Sequence, residues 1–178
     1  SPLRPDPTRG AETIEAPSAA AYRNAHVLDW FNQADALIAP SHHLAAKAEQ
    51  NGLGPVALVR HGLGPAWFEP TDTAAARSGF VSIGTVALHK GSDRVVSGWR
   101  SACPSGTPNL TLFGSILDPS AALGHPVRGV LDPAGVRAQL RQARALIMGS
   151  IWPENAPLII IEARAAGCPV IAPSIGGI

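Results

Sequence analysis

The fold of this chain is decided by residues 150–178, which read SIWPENAPLIIIEARAAGCPVIAPSIGGI. A helix is predicted over Pro157–Ala166, because proline suits the first helical turn, where its missing N–H has no intrahelical partner. Gly167 and Pro169 mark the end of that helix, and the apolar run Val170–Ala172 predicts a strand. A loop, a helix and a buried strand in this order are typical of a parallel α/β sheet.

Upstream, short apolar runs alternate with helical patterns in the same way. Strands are predicted over residues 36–39, 56–59, 80–83, 110–113, 127–131 and 145–148. Helices are predicted over residues 19–33, after the N-caps Ser41 and Ser92, and from Asp132-Pro133, whereas residues 1–18 are predicted to be irregular. Continuous apolar strands between helices indicate an α/β fold, a Rossmann-like parallel sheet with helices on both faces.

Composition excludes several classes of protein. The 178 residues are 46% hydrophobic and 15% charged, which is compatible with a packed core and not with wholesale disorder. The net charge is +1 and the basic residues are scattered, so no nucleic-acid partner is expected. No apolar run approaches the roughly 20 residues that span a bilayer. Two cysteines make no disulfide scaffold, which predicts a reducing, cytoplasmic compartment.

Parallel sheets bind ligands outside the carboxyl ends of their strands. The residues that follow predicted strands are therefore candidates, namely Gly84-Thr85, Gly114-Ser115 and Gly149–Glu154. The helix that starts at Pro157 should present free N–H groups and a partial positive charge, which suit a phosphate. Lys90, in a loop of the same region, can reach an anion there as a mobile point charge. An ordinary solvent-exposed loop lysine is the alternative.

Two carboxylates belong to the decisive stretch, Glu154 before the helix and Glu162 within it. Glu162 lies among aliphatic residues and alanines, so its carboxylate needs hydrogen-bond donors, which the vicinal hydroxyls of a ligand would supply. The alternative is a glutamate on a narrow solvent-facing stripe shared with Arg164. The histidines, including His42-His43, and the two cysteines lack metal-ligand spacing, so no metal site is predicted.

Together these segments resemble the retaining nucleotide-sugar glycosyltransferases of the GT-B fold, family four (glycosyl transferases group 1). The segment from Glu154 to Glu162 matches the E-x7-E motif of that family in spacing, and residues 80–99 lie where the family has its diphosphate-binding loop. The segments ADALIAPSHHL (34–44) and VRHGLGPAWFEP (59–70) resemble its interdomain crossover and first C-terminal strand. The resemblance covers residues 20–178.

The resemblance implies transfer of a sugar from a nucleoside-diphosphate sugar to an acceptor, with retention of the anomeric configuration. Glu154 would contact the transferred sugar and act as the catalytic residue, Glu162 would bind the ribose, and Lys90 would hold the diphosphate. Gly84, Thr85, Pro157, Leu158 and Ile159 would complete the donor site. Thr85 stands where many members of the family have an arginine. Neither a metal nor a further cofactor is expected.

The same resemblance implies a division of the chain and leaves two matters open. Residues 1–18 would be an irregular segment, residues 19–52 the end of the N-terminal domain with the crossover, and residues 53–178 a truncated nucleotide-sugar-binding C-terminal domain. The fold would be incomplete at both ends and this chain alone inactive.

The acceptor, whether a saccharide, a lipid-linked saccharide or a small molecule, stays open, as does peripheral contact with the inner face of the membrane through the N-terminal domain. The alternatives are a nucleotide-sugar epimerase of the same fold and a non-catalytic nucleotide-binding module.

Overall fold

The computed structural model describes residues 16–69 and 76–178. The helices of this part are α1 (Ala16–Phe31), α2 (His42–Gln50), α3 (Ser92–Ala102), α4 (Pro133–Gln142) and α5 (Leu158–Ala165). The strands are β1 (Leu37–Ala39), β2 (Val56–Leu58), β3 (Phe80–Ile83), β4 (Leu110–Phe113), β5 (Val127–Arg128), β6 (Ala145–Ile147) and β7 (Val170–Ile171). Short 3-10 helices occupy Pro65–Phe68 and Pro119–Ala122. None of the helices described is both long and apolar enough to cross a membrane.

Five strands form one parallel sheet in the order β5-β4-β3-β6-β7. The chain therefore enters the sheet at its centre, builds one half through β4 and β5, and then crosses to β6 and β7 on the other side of β3. Ligand sites of such sheets lie where the winding reverses, which is here between the carboxyl ends of β3 and β6. The predicted α/β class is confirmed.

The core lies on both faces of this sheet, because successive side chains of a strand point to opposite faces. Val81, Phe113 and Leu146 face α4 and α5, where Leu140 and Ala163 are fully buried. On the other face, Leu110, Leu112 and Ile147 pack against Val95, Val96 and Trp99 of α3. These three residues therefore share one face of α3.

A second, two-stranded parallel sheet joins β1 and β2, with Leu37 opposite Val56 and Ala39 opposite Leu58. Its strands lie on either side of residue 52, where the domain boundary is predicted. Beyond β2, the expected strand within residues 59–70 is not found in the described residues 59–69. That segment holds only the 3-10 helix, whose Trp67 is buried in the core. Arg137 and Arg141 of α4 donate hydrogen bonds to the carbonyls of Ala66 and Glu69.

Two predicted helix caps are confirmed by their hydrogen bonds. The Ser41 hydroxyl accepts from the N–H of Leu44 at 3.2 Å, and the Asp132 carboxylate accepts from the N–H of Gly135 at 2.7 Å. The predicted cap Ser92 is wrong. Gly91, in the left-handed conformation at φ 63°, is the N-cap of α3, and Ser92 is its first residue. The Ser92 hydroxyl instead accepts from the N–H of Ala87 at 3.2 Å.

Three predicted boundaries also need correction. Helix α1 begins at Ala16, so residues 16–18 are helical, while residues 1–15 lie outside the described part. Pro157 precedes α5 as its N-cap, with an extended ψ of 117°, and its carbonyl accepts from the N–H of Ile160. Strand β5 ends at Arg128, since Gly129 follows and a glycine weakens a strand interior.

Candidate functional site

A cavity of about 300 Å³ opens at the carboxyl ends of β3 and β6. Its walls come from the end of β3, the loop that leads to α3, the loop after β6 and the first turn of α5. Six predicted donor-site residues line it, namely Gly84, Thr85, Lys90, Glu154, Pro157 and Ile159. Leu158 and Glu162, which are also predicted for this site, do not line it. Residues from two distant parts of the chain thus meet where the sheet topology places a ligand.

The central contact of this cavity is an ion pair. Lys90 Nζ donates to Glu154 Oε1 at 2.7 Å, and the two side chains are 36% and 15% exposed. The hydroxyl of Ser150 lies 2.9 Å from the same oxygen, and its residue is 2% exposed. Both contacts involve Oε1, so Oε2 of Glu154 is the oxygen that can accept a hydrogen bond from a ligand.

A close approach of two backbones holds this ion pair in place. Gly91 directly follows Lys90, and Gly149 directly precedes Ser150. A Cβ atom on Gly91 would overlap the carbonyl oxygen of Gly149. Because neither residue has a side chain, the β3–α3 loop can lie against the end of β6. Lys90 is thereby brought beside the loop that carries Glu154.

A second glycine contact shapes the Thr85 side of the cavity. A Cβ atom on Gly114, after β4, would overlap the carbonyl oxygen of Gly84, after β3. The hydroxyl of Thr85 lies 3.4 Å from that of Ser115. These two hydroxyls are the polar groups that the structure offers where an arginine is expected from the resemblance.

The N-terminus of α5 forms the opposite wall. Its first-turn N–H groups, at Leu158 and Ile159, have no intrahelical acceptor because of their position. The side chain of Ile159 packs against the core, whereas that of Leu158 is 47% exposed. The side chain of Leu158 does not line the cavity, so Leu158 can offer a ligand at this site its main-chain N–H.

Glu162 lies one turn beyond Ile159 on the same side of α5, since residues three apart share a helix face. It is half-buried, and this burial raises the pKa of its carboxyl above the usual value. Within the described residues its carboxylate has no hydrogen-bond or ion-pair partner. Arg164, with which it would share a solvent-facing stripe, is exposed.

We expect Glu162→Gln to stabilise the chain at about pH 7 and to leave its stability nearly unchanged at about pH 4. Folding raises the pKa of this carboxyl. The folded protein therefore loses stability as the pH rises from the pKa of the group in the unfolded state through its pKa in the folded state. Glutamine keeps the shape and removes that ionisation. Thermal unfolding of both proteins at the two pH values measures the effect. The same difference in stability between the two proteins at both pH values would contradict this expectation.

Sequence reasoning missed Ser150 and the pairing of Lys90 with Glu154. Ser150 stands inside the predicted candidate stretch Gly149–Glu154, and its place directly after a strand-ending glycine was the available signal. The described residues contain no group of three histidine, cysteine, aspartate or glutamate side chains that could hold a metal ion. The polar groups of this cavity are one lysine, one glutamate, hydroxyls and main-chain N–H groups. Such a set suits a phosphate ester with hydroxyls nearby.

No family profile matches the chain, and no curated protein matches it in sequence. Solved structures do match. Sucrose-phosphate synthase from Thermosynechococcus elongatus is 22% identical with a TM-score of 0.66, over 92% of this chain and 47% of that one. HepE from Anabaena in complex with UDP is 18% identical with a TM-score of 0.70, over 92% and 52%. AviGT4, a glycosyltransferase involved in avilamycin A biosynthesis, is 21% identical with a TM-score of 0.61, over 78% and 44%.

These likenesses establish the fold. The chain has the Rossmann-like α/β architecture of one part of a GT-B protein, and it spans about half the length of the solved chains that it matches.

Proposed function

We propose that this chain is the donor-binding part of a glycosyltransferase that transfers a sugar from a nucleoside-diphosphate sugar to an acceptor. The observation that carries the proposal is the placement of Lys90, with its ammonium beside Glu154 in a cavity at the carboxyl ends of β3 and β6. Structural neighbours support it, since HepE was solved with UDP and with UDP-glucose and AviGT4 is a glycosyltransferase. We further propose family-four membership, retention of the anomeric configuration and independence of a metal ion.

Lys90 is proposed to bind the diphosphate. Its ammonium carries three N–H donors, so it can turn from Glu154 toward a phosphate oxygen without leaving the cavity. The first-turn N–H groups of Leu158 and Ile159 and the positive end of the α5 dipole lie on the other wall. Negative charge grows on the departing diphosphate as the glycosidic bond breaks, and fixed donors on both sides stabilise it.

Glu154 is proposed to contact the transferred sugar. Lys90 and Ser150 contact its Oε1, and Oε2 would accept a hydrogen bond from a sugar hydroxyl close to the anomeric carbon. Glu162 is proposed to accept hydrogen bonds from the ribose hydroxyls, which would satisfy a half-buried carboxylate that has no partner among the described residues.

The chain is proposed to work together with the complete N-terminal domain, which would form the other side of the catalytic cleft. In the proposed division, residues 19–52 are the end of the N-terminal domain with the crossover, and the rest of that domain would supply most of the acceptor site. Closure of the two domains would align donor and acceptor and exclude water. A nucleotide-sugar donor also agrees with a cytoplasmic location, and we retain peripheral membrane contact through the N-terminal domain as part of the proposal.

Binding and transfer measurements test this function. We expect the chain to bind UDP and other nucleoside diphosphates more tightly than the corresponding nucleosides, because the cavity has donors for phosphate groups. Calorimetric titration measures both, and equal affinities would contradict the proposal. Mass spectrometry of the products that the complete enzyme forms from UDP-glucose, with and without added sugars, separates transfer from epimerisation. Binding without any product from the complete enzyme would favour a non-catalytic module.

A further inference from the structure

A second cavity, of about 360 Å³, adjoins the first. Pro157 lines both, so the N-cap of α5 separates them. The walls of the second cavity are the start of α2, the segment that follows β2, the outward face of α5 and residues 176–178. We call it the basic cleft, after the residues Arg60, Arg164, His42 and His43 that line it.

The charged side chains that line the basic cleft are both arginines. Two arginines and two histidines line it, and no aspartate or glutamate side chain of the described chain is among its lining residues. The protein as a whole has a net charge of only +1, so this grouping is local. A cleft lined by charges of one sign raises the local concentration of ligands of the opposite sign.

The two guanidinium groups of the cleft form none of the polar contacts that hold the described part of the fold together. Within the described residues, neither Arg60 nor Arg164 makes a side-chain hydrogen bond or an ion pair. Arg77, by contrast, donates to the carbonyls of Leu140, Ala143 and Ala166. A guanidinium has a planar fork of donors that matches the oxygens of phosphate and carboxylate groups. Arg60 and Arg164 are thus available to an anion.

An apolar surface completes the cleft. Ile160 and Ile161 of α5 lie beside the charged residues, together with Pro40. A wall of this kind packs against carbon-bound hydrogens, while the arginines bind an anionic group. A small phosphate ester that also carries hydroxyls combines both features, and the volume of the cleft is within the usual range for small-ligand sites.

We propose that the basic cleft binds the phosphate of an acceptor substrate, which makes the acceptor a phosphate ester. This inference rests on the proposed transfer function. Glu154 precedes Pro157 by three residues, a reach of at most about 10 Å along the chain. A phosphate held in the basic cleft therefore leaves an acceptor hydroxyl able to approach the sugar at Glu154 around Pro157.

Titration with glycerol 3-phosphate tests the proposal. The measurement is made in saturating UDP, which fills the first cavity, and again on Lys90→Ala, which weakens phosphate binding there. We expect binding in both cases. The double variant Arg60→Gln/Arg164→Gln should bind at least about tenfold more weakly, because charge-assisted hydrogen bonds are lost. Arg60→Lys/Arg164→Lys keeps both positive charges and loses the planar donor forks, so its affinity should lie between those of the wild type and the double glutamine variant. Arg144→Gln, which removes an exposed arginine at the opposite end of β6, should change nothing.

A second arm separates a soluble ester from a lipid headgroup. Phosphatidylcholine vesicles with and without phosphatidic acid present the same glycerol phosphate on a membrane. Arginine-dependent binding only to vesicles with phosphatidic acid would assign the phosphate to a lipid acceptor. Equal binding by the wild type and the double glutamine variant in both arms would overturn the basic cleft as a phosphate site. The chain could also bind phosphate through these arginines and yet bind no nucleoside diphosphate. In that case the basic cleft would be an anion site, and its proposed role in acceptor binding would be overturned.

Discussion

Replacing Lys90 with alanine should weaken UDP binding about 10- to 150-fold and leave uridine binding nearly unchanged. A hydrogen bond to a charged group contributes about 1.5–3 kcal/mol, which corresponds to that range of affinity. Uridine lacks the phosphates that the ammonium would contact. Calorimetric titration of both ligands measures the difference.

The ion pair also predicts the opposite effect on UDP affinity when Glu154 is changed. Glu154 Oε1 lies 2.7 Å from the Lys90 ammonium, so a diphosphate would compete with a carboxylate for the same cation. Glu154→Gln removes the competing charge and should leave UDP affinity unchanged or raise it, while it impairs sugar transfer by the complete enzyme. Loss of UDP binding in Glu154→Gln would show that the two roles are assigned wrongly.

Lys47 provides the matched control, because it and Lys90 are the two lysines of the chain. Lys47 is exposed on α2 and contacts Gln50 at 3.3 Å. Lys47→Ala removes the same charge away from the cavity and should not change UDP affinity. Equal weakening in both variants would indicate a general effect of net charge. Equal losses for UDP and uridine in Lys90→Ala would make Lys90 a structural residue.

Strands β3 and β4 could be predicted to the residue from the sequence. Each is a run of four residues that ends at a glycine, Gly84 or Gly114, with φ of 147° or 143°, a conformation that other residues rarely adopt. The N-caps Ser41 and Asp132 were equally predictable, because their side chains bond to the backbone three residues ahead. Ser92 has the same residue type, but the left-handed backbone of Gly91 moves the helix start and gives Ser92 another partner.

The residues of the site were predictable singly, and their contacts were not. Lys90 and Glu154 each follow a strand, which indicates the same edge of the sheet. They are 64 residues apart in the chain, and their ion pair depends on β3 and β6 being neighbours. That order is a property of the sheet as a whole, which no local pattern encodes. The basic cleft has the same origin, since α2, the segment after β2 and α5 meet only in the folded chain.

Replacing Gly91 with alanine should lower the free energy of unfolding by about 3 kcal/mol or more and abolish the ion pair beside it. Two effects add at this position. Its φ of 63° is unfavourable by about 1–2 kcal/mol for a residue with a Cβ atom. That atom would also overlap the carbonyl oxygen of Gly149, which is backbone and cannot rotate away. Either Lys90 or the loop after β6 has to move, so UDP affinity should fall together with stability.

Gly98→Ala is the control, because it makes the same substitution nearby without either effect. Gly98 is exposed within α3, and a Cβ atom there meets nothing within 4 Å. Alanine should stabilise this helix by about 0.5–1 kcal/mol and leave UDP affinity unchanged. Urea unfolding and UDP titration of both variants measure the contrast. Wild-type stability in Gly91→Ala would show that the two loops are not in the close contact that places Lys90 beside Glu154.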